Sequence, residues 1–390
     1  MSMKLSKRTV SALRRALDQK KASDAASFTE THHIVLQLCI EGGDFGALEV
    51  DPFTIPDEEW NAAHPVISRG FTALVKMDAL LLFQYETPDS LCEAVTDLVR
   101  DIWYPLMTWM EFANPASGYI SLDAPLFRAV LSLFHHFFAP KFNALSSLVM
   151  QTPRLYAWSA WLWLCLPQVL TLGGRTPAED SATLHHYIIC TEILNQVITT
   201  MLREYHIGGG GHQRYNDNAV REALGVVDHR FRRMLRAAID SMSYLIDAVQ
   251  NSPTAPQQAL ETALEETRAK LSLLSTFATA LGDVEVHSRD IVALVHLIRT
   301  LHDIPEGQDA VSAAADLLRN VCVLSEDHRP LVWSLKAGLF PLLVSICRLQ
   351  VDRQQDTSST YALLWHIAIW TSHFPVAVAF QKYRGDGPSA

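Results

Sequence analysis

Closely spaced cysteines are missing from this 390-residue chain. No two of its six cysteines lie closer than 25 positions, so no C-x-x-C pair of the zinc or redox type occurs. Asn-x-Ser/Thr glycosylation sites are absent, and no apolar segment follows the basic N-terminus, so a secretory signal peptide is not expected. These absences favour a reducing intracellular compartment, either cytoplasmic or nuclear.

Positive charge is scarce as well. The chain has 32 Lys and Arg residues against 42 Asp and Glu residues, which gives a formal net charge of -10 at pH 7. Because neutralising phosphates requires a surplus of basic side chains on one face, we expect no nucleic-acid partner. Basic residues are concentrated at 4–21, whereas 34–68 contains none. We interpret the first segment as a capping helix, or alternatively as a nuclear-import or anion-binding segment, and the second as an irregular acidic connector.

Signatures of catalysis and of cofactor binding are missing too. The glycine run 208–211 is followed neither by the Lys-Ser/Thr pair of a Walker loop nor by a G-x-G-x-x-G pattern, so we interpret 208–213 as a flexible linker. No G-x-S-x-G, zincin or kinase signature occurs. We therefore expect a protein that is not an enzyme and binds no cofactor; an enzyme with an unrecognised site is the third hypothesis.

Sixteen histidines suggest a metal hypothesis. His186 and Cys190 lie four residues apart and share one face of a helix, as two ligands of one ion would. No H-E-x-x-H motif and no carboxylate at ligand spacing accompanies them. Two ligands do not make a site, so we expect no bound metal.

Helical periodicity accounts for most of the chain. Apolar residues recur every three or four positions and the alternation typical of strands is essentially absent, so the sequence predicts an all-α fold. In the segment that contains Pro105 the apolar residues stay in step on both sides of the proline, which predicts one long helix with a kink. The predicted helices are 65–85, 88–112, 122–138, 140–150, 153–172, 177–207, 217–249, 256–281, 286–301, 308–324, 330–337, 339–347 and 358–370.

One stretch, 308–347, has the form of a repeat, with a helix, a tight corner and a second helix. Ala314, Leu318 and Asn320 form the string A-x-x-x-L-x-N, and 336–344 reads K-A-G-L-F-P-L-L-V, in which the glycine is suited to end a short helix. Both strings resemble the armadillo repeat. The resemblance implies an armadillo or HEAT-like α-solenoid, a superhelical array of packed helices whose surface binds protein partners.

Asn320 is the residue at which this resemblance bears on function. In peptide-binding armadillo proteins an asparagine at this motif position contacts the backbone of an extended ligand, and it recurs in successive repeats. When Ala362 is aligned with Ala314, His366 and Ala368 occupy the leucine and asparagine positions, so the asparagine does not recur. We therefore predict Asn320 as a candidate partner-binding residue, but no continuous peptide groove.

Arg232, Arg233 and Arg236 form the densest cationic cluster outside the N-terminus and fall largely on one helical face. Arginine side chains bind carboxylates and phosphates through two parallel hydrogen bonds, so the cluster is a second candidate partner-binding site. The alternative is a solvated face with ion pairs along the helix, such as Asp228 with Arg232.

Two further strings resemble a second family. D-I-W-Y-P-L-M-T-W-M-E-F (101–112) and M-Q-T-P-R-L-Y-A-W-S-A-W-L-W (150–163) are similar to the helical region of fungal proteins that carry a MYND-type zinc finger, over roughly residues 65–350. The closely spaced Cys and His ligands of that finger are not present, so zinc binding is not implied. Two interpretations stay open. The chain is a relative without the finger, or it is a piece of a longer chain whose finger follows Ala390.

The leading hypothesis is a non-enzymatic intracellular scaffold for protein–protein interactions, with partners that the sequence does not identify. The predicted regions are a basic helix, short helix and acidic connector (1–63), a first helical array (64–207), the glycine-rich linker (208–213), an armadillo-like second array (214–382) and a polar tail (383–390).

Two uncharged windows, 155–174 and 357–381, support an alternative hypothesis, a membrane-associated helical protein. In the first window the tryptophans fill the segment instead of flanking it, and a proline follows them. Helices in the centre of a packed array are also apolar on all sides, so we do not expect either window to span a membrane.

Overall fold

The computed structural model describes Ser11 and residues 45–84, 89–121, 123–138, 145–152, 154–171, 181–203, 216–252, 257–354 and 356–383. Over these residues the chain is helical and has no strand, which confirms the predicted all-α class. The chain divides into two compact units, 1–162 and 163–390. The division falls within a helix and not at the predicted linker 208–213, which lies outside the described residues.

The first unit packs helices against a segment of short 3-10 turns. Its largest fully buried side chains are aromatic, among them Trp103, Trp109 and Phe134. The turns are Phe45–Glu49, Pro52–Thr54 and Asp57–Glu59, and the helices are α1 (Pro65–Gln84), α2 (Asp89–Asp101), α3 (Trp103–Phe112), α4 (Ala124–Phe138), α5 (Ser146–Met150) and the first half of α6 (Arg154–Thr171).

The single kinked helix predicted at 88–112 is wrong, because α2 and α3 are separate helices that meet at Ile102. The backbone of Ile102 has φ -104 and ψ 11, outside the α-helical range. Pro105 accounts for the break. Its ring would clash with the carbonyl of the residue four positions earlier, Asp101, and α2 ends at that residue.

The described part of the acidic segment before α1, residues 45–64, consists of loop and short 3-10 turns, as the sequence predicts, and it packs on the helices. The Nε1 of Trp109 donates hydrogen bonds to the carbonyls of Leu48 and Val50, at 3.2 and 3.0 Å. The ring of Phe53 meets that of Phe112 edge-on, with the ring centroids 5.5 Å apart. Side chains of α3 therefore hold the segment in place. The predicted basic helix lies outside the described residues, apart from Ser11.

The second unit arranges most of its helices in two rows. After the end of α6, its helices are α7 (Ser181–Leu202), α8 (Asp217–Gly225), α9 (Phe231–Asn251), α10 (Gln257–Leu281), α11 (Ser288–His302), α12 (Gln308–Leu324), α13 (Arg329–Lys336), α14 (Leu339–Asp352), α15 (Ser358–Trp370) and α16 (Phe374–Tyr383). In one row α7, α10, α12 and α15 pack side by side in that order. In the other row α9, α11, α13 and α16 do the same, and α9 on α10 and α11 on α12 join the rows.

The most extensive packing is between α10 and α12. Ala314 and Ala315 of α12 are fully buried, and such small side chains let two helix axes approach closely. Gly338 separates α13 from α14 with φ 84, the left-handed conformation that the sequence predicts for this corner. The stretch predicted as helix, corner and helix is therefore confirmed in its local geometry.

The single segment predicted at 217–249 is wrong, because α8 ends at Gly225 and α9 begins at Phe231. Between them Asp228 and His229 have φ 54 and 56. Two successive residues in the left-handed region cannot continue a right-handed helix, and Asp and His are among the side chains that tolerate this region.

No single helix within the described residues is long and apolar enough to cross a membrane. Two pairs of consecutive helices reach the length and apolar composition of a membrane-spanning segment, but only when the two helices of a pair are counted as one. They are α13 with α14, bent by 74°, and α15 with α16, bent by 120°.

Candidate partner-binding groove

A polar groove runs between α10 and α12 and reaches the turn before α15. Its volume is about 480 Å³. Residues three or four positions apart on α10 share one face, which places a row of hydroxyl groups along one wall. The groove is lined by Arg268, Ser272, Ser275, Thr276 and Thr279 of α10, by Asp309, Ser312, Ala313 and Asp316 of α12, and by Asp356.

The groove carries more negative than positive charge, since its lining contains three carboxylates and one guanidinium, that of Arg268. Asp316 accepts a hydrogen bond from the Ser359 hydroxyl at 2.7 Å. The Asp356 carboxylate accepts from the backbone N–H and the hydroxyl of Ser358, both at 2.9 Å. These two bonds hold the pKa of Asp356 below its ordinary value, so this carboxylate is ionised at neutral pH.

Asn320 lies on α12, about one helical turn beyond the acidic lining of the groove. Its Nδ2 donates to the hydroxyl of Ser275 at 2.6 Å, and its Oδ1 accepts from Arg319 at 3.4 Å. The asparagine thus connects α12 to α10 at the edge of the groove. Its predicted contact with a partner stays a prediction.

The three predicted arginines lie on α9, in the other row of helices, and each contacts a carboxylate of this chain. The pairs are Arg232 with Glu285, Arg233 with Asp228 and Arg236 with Asp290. The expected pair of Asp228 with Arg232 does not form, because Asp228 precedes the first turn of α9. The structure therefore does not bring the arginines to Asn320, and their predicted binding of an anionic partner stays a prediction.

A second groove, of about 410 Å³, lies between the segment before α11 and the start of α13. Its lining includes the carboxylates of Asp283, Glu285, Glu326 and Asp327, together with the indole of Trp333. The two grooves therefore share an excess of acidic side chains.

A buried polar cluster that the sequence did not predict lies on the face of α10 opposite the groove. Lys270 is 2% exposed, and its Nζ donates to the Trp163 carbonyl at 2.7 Å and to the Ser241 hydroxyl at 2.9 Å. Asn195 donates to the Glu266 carboxylate at 2.7 Å and accepts from the Trp163 Nε1 at 2.7 Å. The cluster joins α6, α7, α9 and α10.

Burial dominates the acid–base chemistry of this buried polar cluster. It lowers the pKa of Lys270 to about 7 and raises the pKa of Glu266 to about 7. Pro167 accounts for the position of Lys270. A proline has no N–H, so the Trp163 carbonyl, four residues earlier in α6, lacks its helical hydrogen bond. The Nζ of Lys270 donates to this carbonyl instead. All five side chains of the cluster are at most 8% exposed, so a substrate in solution does not reach them.

Over the part of the chain that the structure describes, no group of three or more His, Cys, Asp or Glu side chains is placed to hold a metal ion. The Cys190 Sγ lies 3.6 Å from the His186 Nε2.

Comparison with family models, curated proteins and solved structures finds nothing that matches this chain. The armadillo and MYND-type resemblances therefore stay predictions from short sequence strings.

Proposed function

We propose that the chain is a non-enzymatic scaffold built on an α-solenoid, and that it binds a protein partner along the face of α10, α12 and α15. The polar groove between α10 and α12 is the observation that carries the proposal. Stacked helical repeats create extended surfaces suited to binding other proteins, and the side-by-side order of α7, α10, α12 and α15 fits such stacking.

The chemistry of the groove favours a partner segment that contains Lys or Arg. Ammonium and guanidinium groups form charge-assisted hydrogen bonds with carboxylates such as Asp309 and Asp316, and the hydroxyl groups of α10 accept further bonds. The net charge of -10 steers basic partners toward the chain and repels acidic ones.

Reversal of one charge in the groove tests this proposal. The tagged chain is purified with its partners, and mass spectrometry compares the wild type with Asp309→Lys. Asp240→Lys is the matched control, since Asp240 is an exposed acid on α9 in the other row. We expect the groove variant to lose basic partners that the control keeps. Recovery of the same partners with both variants, at unchanged helix content by circular dichroism, would contradict the proposal.

A further inference from the structure

The exposed face of α15 is apolar. Tyr361, Trp365 and Ile369 recur every four residues and are 51%, 69% and 55% exposed. After a short turn, Phe374 and Val378 of α16 repeat the pattern, at 79% and 45% exposed. Because positions four apart share one side of a helix, each helix presents a stripe and not scattered side chains. We call these five residues the α15–α16 stripe.

The stripe lies on the opposite side of α15 from its buried residues. At 3.6 residues per turn, Trp365 points about 180° away from the midpoint of Leu363 and Ile367. Those two side chains are at most 1% exposed. In the described part of the chain α15 is also the last helix of its row, so the stripe faces outward where a further packing partner would lie.

Charge and geometry favour a protein over a lipid surface as that partner. Helices that lie on membranes carry several Lys or Arg residues on their polar face, whereas the charged residues of α15 and α16 are limited to Lys382. Because α15 and α16 are bent by 120° relative to each other, the pair also differs from a straight membrane-spanning helix.

We propose that the α15–α16 stripe binds a second copy of this chain, and that the chain forms a symmetric dimer through it. A two-fold axis places the same patch of both copies in contact, so the patch must complement itself. An apolar stripe without charged side chains does so, because pairing it with itself opposes no like charges and buries no unpaired charge.

The area of the stripe is sufficient for such an interface. Aromatic side chains cover about 150–250 Å² each, so three of them at these exposures, with one isoleucine and one valine, present on the order of 500–600 Å². Two copies together bury roughly 1,000–1,200 Å², which reaches the value of about 1,000 Å² expected of a specific interface.

Sedimentation of the full chain over a range of concentrations, at physiological salt, tests the dimer. We expect the mass of the wild type to rise from the 43.6 kDa of one chain to twice that value. Trp365→Glu places a charge at the centre of the stripe and is expected to weaken dimerisation about 30-fold or more, the effect of losing a central interface residue. Val292→Glu is the control, because Val292 is 48% exposed on α11, which α13 separates from α16 in its row, and its variant should dimerise like the wild type.

Two outcomes overturn the inference. The wild type stays monomeric at every concentration, whether or not it sediments with neutral phosphatidylcholine vesicles, or Trp365→Glu dimerises as tightly as the wild type. If Trp365→Glu lowers helix content, Tyr361→Lys replaces it. Asp309→Lys is expected to dimerise normally, so a failure of the dimer leaves the proposed function untouched.

Discussion

Replacing Lys270 by methionine is expected to change how the stability of the chain depends on pH. Methionine has a similar length, so it fills the same space among α6, α9 and α10 but carries no charge and donates no hydrogen bond. We expect the wild type to gain stability relative to Lys270→Met as pH rises from about 7 to 10.5.

The sign follows from the direction of the pKa shift. In the unfolded chain the amine has its ordinary pKa of 10.5, and burial lowers the pKa of Lys270 to about 7 in the folded chain. Between these values the unfolded state binds more protons than the folded state, so the free energy of unfolding rises with pH. Below pH 7 both states are protonated, and the full cost of the buried charge is present.

The size of the expected gain in stability depends on two opposing effects, the burial of the amine and its hydrogen bonds. A shift from 10.5 to about 7 corresponds to about 5 kcal/mol, at 1.36 kcal/mol per pKa unit, and this is an upper limit. Hydrogen bonds from a charged donor contribute about 1.5–3 kcal/mol each, and Lys270 makes two, to the Trp163 carbonyl and the Ser241 hydroxyl. Both bonds favour the charged form and oppose the effect of burial, so the expected relative gain stays below this limit of about 5 kcal/mol.

Urea unfolding followed by circular dichroism at pH 7, 8, 9 and 10 measures this gain. For an m-value of about 3 kcal/mol/M, the midpoint of the wild type should move up relative to the variant, by at most roughly 1.5 M. Midpoints that change in parallel for wild type and Lys270→Met, or a wild type that loses stability relative to the variant, would refute the reasoning.

Pro167→Ala supplies the control for the proposed role of the lysine. Alanine restores an N–H that can donate to the Trp163 carbonyl, so Lys270→Met should cost less in the Pro167→Ala background than in the wild type. A double-mutant cycle with additive free energies would mean that Lys270 does not substitute for the missing helical hydrogen bond.

Three further substitutions have defined outcomes. Gly338→Ala should destabilise by about 1–2 kcal/mol, because φ is 84 there and the new Cβ would lie 3.2 Å from Nη2 of Arg299; a lower urea midpoint checks this. Burial raises the pKa of Glu266, so between pH 4.5 and about 7 the folded state keeps a proton that the unfolded state releases, and the wild type should lose stability as pH rises. Glu266→Gln should not show this loss, and urea midpoints at pH 5 and 7 measure the difference. Trp109→Phe should cost about 1–3 kcal/mol through two lost hydrogen bonds to backbone carbonyls, whereas Tyr104→Phe, at a residue that is 77% exposed, should leave the urea midpoint within error.

Local signals predict several helices of the second unit, but the sequence did not predict α16 and it predicted α8 and α9 as one segment. The bounds of α12 and α15 agree with the prediction, and Gly338 takes the predicted left-handed conformation. Helical periodicity and glycine at a helix end depend on residues close in sequence, so a single chain reveals them. The break at Ile102 depends on Pro105 three residues later, and the sequence contained the signal for it although we predicted only a kink.

Contacts between distant residues could not be predicted in the same way. Lys270 lies 107 positions from Trp163, and only the packing of α10 against α6 brings them together. The one local signal was that Lys270 occupies the same helical stripe as Leu274, a buried residue, where a charge requires a partner.

The uncharged window at 155–174 raised a membrane hypothesis for a related reason. Periodicity does not distinguish a helix buried in protein from one buried in lipid.

The placement of the groove and the buried polar cluster on opposite faces of α10 lets binding and folding be tested separately. Ser272 and Ser275 line the groove, whereas Glu266 and Lys270 point about 120–180° away around the helix axis. A charge added on the groove side by Asp309→Lys therefore contacts none of the buried groups, and the pH response of stability should be unchanged. Conversely, Lys270→Met should alter that response while the partner is retained. If either substitution abolished both properties, the partner would be recognising the intact helical packing of α10, and the groove side chains would not be its binding site.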